Sequence, residues 1–292
     1  MREIINSISV GGLTAVYRRE SETGVVELVL IPAGCESEIV RTDCAAEPLV
    51  QAKLETDDAP AFFSGGRTMR NGPTVSAIVF DGQIVQKSDD KTVILTTLTD
   101  ARGLAYTHTL TLYADNPAAE VVTSVENTGS APVTFEMLSS FTLGSISPFA
   151  TGLAPETLKI HRLRSTWSAE GRLVTDRAED LQLEPSWKCY SANCLRFGVI
   201  GGYPVHGFAP FCAVEDTVHG VTWAAATTQG SSWQMELYRS DMGLSLSGGL
   251  ADREFGAWCK TLAPGACFTA PKAVLTAVRG GVDAAAQVLA EN

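Results

Sequence analysis

Apolar residues along this chain recur at every second position far more often than at every third or fourth. Residues 24–31, 92–98, 106–113, 119–126 and 133–138 are rich in Val, Ile, Leu and Thr, and turn-forming residues bound each run. Side chains of an extended chain alternate between two faces, so this pattern predicts strands with one buried face. The second half repeats it at 194–200, 211–215, 220–226, 232–239, 244–247 and 273–278. Residues 74–80 read as a further strand, with Asp81-Gly82 as a tight turn before residues 83–86. Residues 127–132 read as the polar turn of a hairpin. Turn signals spaced by roughly ten residues predict an all-β fold, a large antiparallel β-sandwich of two sheets packed face to face. One segment departs from the pattern. Residues 282–290 are Ala-rich, with Val282, Ala285, Val288 and Leu289 on one helical face and Asp283 near the start. The expected organisation is one β domain over residues 1–279 and a short C-terminal helix or linker over 280–292. The apolar stripe of that helix is expected to lack a cover.

Composition narrows the function classes. Hydrophobic residues make up 45% and charged residues only 19%, as in a folded globular protein. A formal charge of −11 disfavours nucleic acid and anionic membrane surfaces, both of which call for basic patches. A neutral sugar is indifferent to that charge. The first residues lack the apolar run of a signal peptide and no stretch reaches membrane-span length, so a cytoplasmic location is expected. Seven cysteines occur without a Cys-x-x-Cys pair, and four histidines lie far apart. That distribution predicts buried free thiols in a reducing compartment, no metal site and no cofactor.

Three stretches carry more chemistry than a β-scaffold requires. In the first, His161, Arg162, Arg164, Trp167 and Glu170 offer groups for sugar hydroxyls or a partner domain. The plainer reading is an ion-pair ladder on one strand face with Trp167 as a core anchor. In the second, Asp252 and Glu254 are two residues apart, so on a strand their carboxyls share a face at about 7 Å. Paired glycosidase carboxylates fall near that window, but any Asp-x-Glu on a strand has it, and Arg239 and Arg253 are available as partners. In the third, residues 57–72 form a Gly- and Pro-containing loop with Phe62, Phe63, Arg67 and Arg70. It reads either as a surface loop pinned by its phenylalanines or as a projecting binding loop. No Gly-x-Ser-x-Gly elbow and no phosphate-cradling motif is present, and His206 and His219 read as loop residues.

Residues 138–141, 160–165, 167–172, 244–256 and 260–271, with Pro210-Phe211 and Ser232-Trp233, resemble the N-terminal β-domain of the α-galactosidases of glycoside hydrolase family 36. The resemblance spans nearly the whole chain and implies a β-supersandwich. In that family a following (β/α)8 barrel performs retaining hydrolysis with two aspartates, one the nucleophile and the other the acid/base. The motifs that carry them, a Lys-Trp-Asp strand end and a Ser-Gly-Gly-Gly segment, are absent, and Ser247-Gly-Gly-Leu250 is not the latter. A barrel needs about 250 residues, which do not follow Ala270. The resemblance therefore implies a non-catalytic domain with no catalytic residue of its own. Its implied role is in assembly and in shaping the active-site mouth, and its implied partners are its own catalytic barrel, further copies in a tetramer, and α-galactosides. Asp58, Phe62, Phe63, Arg67 and Arg70 become the expected substrate-binding residues in the assembled enzyme. The alternative is a freestanding carbohydrate-binding or structural β-sandwich protein.

Overall fold

The structure, a computed structural model, describes residues 2–40, 44–58, 68–150, 156–184, 192–203, 205–240 and 243–292. Strands dominate it, as the period-two pattern demands. In chain order they are β1 (Arg2–Val10), β2 (Leu13–Glu20), β3 (Val26–Pro32), β4 (Ala52–Leu54), β5 (Val79–Lys87), β6 (Lys91–Thr99), β7 (Leu104–Tyr113), β8 (Ala118–Asn127), β9 (Val133–Leu143) and β10 (Leu158–Thr166). They continue with β11 (Arg172–Arg177), β12 (Ala192–Val199), β13 (His206–Asp216), β14 (Val221–Thr227), β15 (Trp233–Ser240), β16 (Gly243–Leu250), β17 (Lys260–Leu262), β18 (Cys267–Thr269) and β19 (Ala273–Arg279). Three short α-helices are α1 (Pro73–Ala77), α2 (Arg253–Gly256) and α3 (Val282–Glu291).

Among the described residues the strands form three antiparallel sheets. The largest is ten-stranded, in the order β11-β10-β13-β14-β19-β8-β7-β6-β5 with β18 added against β8. Opposite it lies a six-stranded sheet, β12-β15-β16-β9-β17, to which β4 adds against β9. A third sheet, β1-β2-β3, is fastened to the large one by Trp223 on β14, whose indole N–H donates to the Leu30 carbonyl at 2.7 Å. Alternation along β7 shows the layering. Leu104, Tyr106, His108, Leu110 and Leu112 are buried, and the residues between them are half-exposed.

The structure departs from the sequence pattern at particular places. Residues 74–80 are not one strand: α1 occupies 73–77, and β5 starts only at Val79. Pro73 suits a helix start because its missing N–H has no partner to lose. Asp57 adds to this by accepting from the Thr74 hydroxyl at 2.5 Å. Asp81-Gly82 is no turn but a bulge inside β5, where the pairing with β6 slips between Phe80 and Gly82. Residues 207–211 belong to β13, so His206 opens a strand, while His219 lies in the turn after it. The expected bare stripe on α3 is covered in part, with Val282, Val288 and Leu289 half-buried. The helix folds back on the large sheet, and Ala285 is wholly buried in a cluster with Phe211, Ala213, Ala224 and Val278. No helix among the described residues is long and apolar enough to cross a membrane.

Candidate functional site

The outer face of the six-stranded sheet is polar, for a reason visible in its strands. On β15 Met235 and Leu237 enter the core, so Gln234, Glu236 and Tyr238 face the other way; on β16 Leu244 and Leu246 enter it, so Ser245 and Ser247 do the same. Residues 68–71 lie across this face and close it off from water. There the Thr68 hydroxyl donates to Glu236 Oε1 at 2.6 Å. Arg70 donates to Glu47 Oε1 at 2.5 Å, to Ser245 Oγ at 3.1 Å and to the Glu236 carbonyl at 3.3 Å, with its guanidinium 5.0 Å from the Tyr238 ring centroid. Gln51 completes the network by donating to Glu47 and to Asn71, while its own Oε1 accepts from the Asn71 backbone N–H. Burial pushes the Glu236 carboxyl above the usual range, against the opposing pull of Arg70 and Thr68. Burial likewise raises the Tyr238 phenol.

These contacts form one root of the 59–67 segment. The other root is Asp57. It accepts from the Leu54 backbone N–H at 3.1 Å and from Thr74, and Arg102 bridges it at 3.5 Å to Asp100 at 2.6 Å. The described residues on either side of 59–67 are thus both fixed to the sandwich. Beside the second root lies a cavity of about 350 Å³ whose apolar walls include Ala45, Ala46, Pro48, Val75 and Leu244, with Tyr238 and Asn71 also lining it. Chemically the arrangement is an anchor for residues 68–71. The carboxylates of Glu47 and Glu236 are spent on Arg70 and Thr68.

The five expected substrate-binding residues are distributed unequally. Asp58 is exposed at the first root. Phe62, Phe63 and Arg67 lie outside the described residues. Arg70 differs from its expected placement on a projecting loop: it is only 2% exposed and its guanidinium serves as the anchor. Sequence reasoning missed Asp57, Thr68, Glu47, Gln51, Glu236 and Tyr238. The alternation of Gln234, Glu236 and Tyr238 with Met235 and Leu237 was the available signal.

The two other stretches are linked through Phe197 on β12 and Trp233 on β15. Arg162 lies 5.6 Å from the Phe197 ring centroid, and Phe197 packs edge-on against Trp233, on the strand paired with β16. Arg162 pairs with Asp176 at 2.7 Å, and His161 bridges Glu215 and Thr175 at 2.9 Å each, with burial lowering its basicity. Trp167 is no core anchor: it stands 76% exposed at the tip of the β10–β11 hairpin. Asp252 and Glu254 do not share a strand face. Asp252 caps α2, accepting from the Phe255 backbone N–H at 2.8 Å. Both acids meet Arg196, not Arg239 or Arg253. Gly248 is there for space, since a Cβ would come within 2.9 Å of Met235 Cγ. Cys35, Cys44, Cys212, Cys259 and Cys267 are free thiols. Full burial pushes that of Cys212 up to about 12, whereas Cys259 and Cys267 are exposed, contrary to the expectation of burial. Among the described residues no cluster of three or more His, Cys, Asp or Glu side chains could hold a metal ion.

No protein-family profile and no curated protein matches the chain in sequence. Solved structures do match. A GH36 α-galactosidase from Geobacillus stearothermophilus in complex with stachyose superposes with a TM-score of 0.70 at 14% identity, over 98% of this chain and 42% of that one. The α-galactosidase from Lactobacillus brevis gives 0.70 at 14% identity, over 98% and 41%. A galactose mutarotase-like protein from Lactobacillus casei gives 0.51 at 14% identity, over 94% of this chain and 99% of that one. The chain spans about two-fifths of the length of the α-galactosidases it matches, and its fold is that of this part of the GH36 enzymes.

Proposed function

We propose that this chain is the non-catalytic N-terminal β-domain of a GH36-type α-galactosidase, in which a separate (β/α)8 barrel performs retaining hydrolysis of terminal α-galactosides. One observation carries the reading: nearly all of this chain superposes on less than half of each α-galactosidase. In this reading the domain serves assembly of a cytoplasmic homo-oligomer and shapes the mouth of the active site. The 58–70 loop faces substrate, with Asp58, Phe62, Phe63 and Arg67 toward the distal sugars and Arg70 at its root. The two clamped roots support this, because a loop that contacts substrate loses less entropy when its ends are already fixed. The coding frame beyond Asn292 tests it. A Lys-Trp-Asp strand end followed by a second aspartate segment is expected, and an immediate stop codon would sink it.

A second reading, a freestanding carbohydrate-binding β-protein, is favoured by the mutarotase-like structure, which the chain matches over 99% of that protein's length. Saturable binding of galactose by the isolated chain, with a stop codon after Asn292, would select it.

A further inference from the structure

The β10–β11 hairpin sets two arginines directly opposite each other. Arg164 and Arg172 are register partners, so both side chains leave the same face of the ladder with Cβ atoms about 5 Å apart. Both are exposed, and neither has a carboxylate partner among the described residues, although the chain carries 33 acidic residues against 22 basic ones. The neighbouring acids are occupied. Asp176 is paired with Arg162, Glu170 accepts from the Ser168 backbone N–H, and Glu215 serves His161 on the opposite face of the strand. The Arg164 guanidinium is steadied by the Phe208 ring, 5.5 Å away. Like charges directly opposed on two strands disfavour the fold. Two guanidiniums at that spacing present paired N–H donors, which bind oxyanions through charge-assisted hydrogen bonds.

We propose that Arg164 and Arg172 form a binding site for an oxyanion, a phosphate monoester or a carboxylate, that bridges the two guanidiniums at the free edge of the ten-stranded sheet. The site is independent of the 58–70 loop and of the galactosidase reading.

Inorganic phosphate and acetate are the probes, each compared with chloride at matched ionic strength and pH. Binding is followed by backbone amide shifts and by the thermal midpoint. Phosphate is expected to saturate with a Kd on the order of a few millimolar, with shifts confined to β10 and β11. Arg172→Glu places a carboxylate opposite Arg164. It should melt at or above the parent in chloride, because it turns a repulsive pair into an attractive one, and should lose the phosphate response. Arg164→Gln, at an exposed position, should weaken phosphate at least tenfold. Phosphate binding more than about fivefold tighter than acetate supports the site and assigns it to phosphate monoesters; comparable binding supports it and assigns it to carboxylates. A phosphate response no larger than that of chloride, or one retained by Arg172→Glu, overturns the proposal.

Discussion

At the root of the 59–67 loop and at the edge of the ten-stranded sheet, an arginine lies over an aromatic ring on a β-strand: Arg70 over Tyr238, and Arg164 over Phe208. The first is sealed from water with Glu47 and the Glu236 carbonyl as partners, and the second stands in solvent facing another arginine. The same side chain is therefore a structural fastener in one place and a solvated charge in the other. Burial makes the difference, because removing a partner from a buried ion pair leaves a charge that water cannot reach, whereas an exposed charge is solvated either way.

That contrast breaks most easily at Arg70. Arg70→Ala should destabilise the chain by about 3–5 kcal/mol in urea unfolding, the range for stranding a buried charge. A loss below about 1 kcal/mol would show that the root behaves like a surface pair. The core supplies the next test. His108 is wholly buried, has no hydrogen-bond partner on either ring nitrogen among the described residues, and burial lowers its pKa from 6.5 to about 4. Between those values the unfolded chain binds the proton and the native chain does not. Stability from this group is complete above pH 6.5 and is lost as pH falls toward 4, by about 3 kcal/mol. His108→Leu should flatten that part of the pH–stability curve; an unchanged curve would mean that the ring is solvated.

Glu236 titrates the opposite way. Its native pKa is raised, so its penalty is absent at low pH and grows as pH rises through the carboxylate range. Glu236→Gln keeps the acceptor for Thr68 and should raise the thermal midpoint at pH 8 more than at pH 4. A lower midpoint at pH 8 would show that attraction to Arg70 outweighs burial. The smallest effect is expected at the exposed end. Trp167→Ala should change stability by less than about 0.5 kcal/mol despite removing the largest side chain of the hairpin, and a larger loss would place the ring against the core after all.

The legibility of the chain followed the range of the interactions. Period-two alternation exposed β6, β7 and β8, because each strand has one face in the core. It failed at 74–80, where a β-branched composition was overruled by Pro73 and by a carboxylate seventeen positions earlier in the chain. It failed again at Asp252, whose role as a helix cap is fixed by the backbone turning out of the sheet. Of the candidate site, the loop expected from Pro60, Gly65 and Gly66 lies outside the described residues. The anchoring role of Arg70 was not legible, since Glu47, Glu236 and Ser245 come from distant parts of the chain.

A β-sandwich with a C-terminal helix could be read from the chain alone, because alternation and turn chemistry act over a few residues. The likeness of the fold to part of the GH36 enzymes is carried by the structure, at 14% sequence identity. Which arginines are buried, where α3 packs, and that Arg164 and Arg172 face each other without an acid among the described residues follow from the folded arrangement alone. Those outcomes depend on which strands become neighbours, and strand order across a ten-stranded sheet is settled by packing between residues as much as 244 positions apart, as in the contact of Arg279 with Cys35.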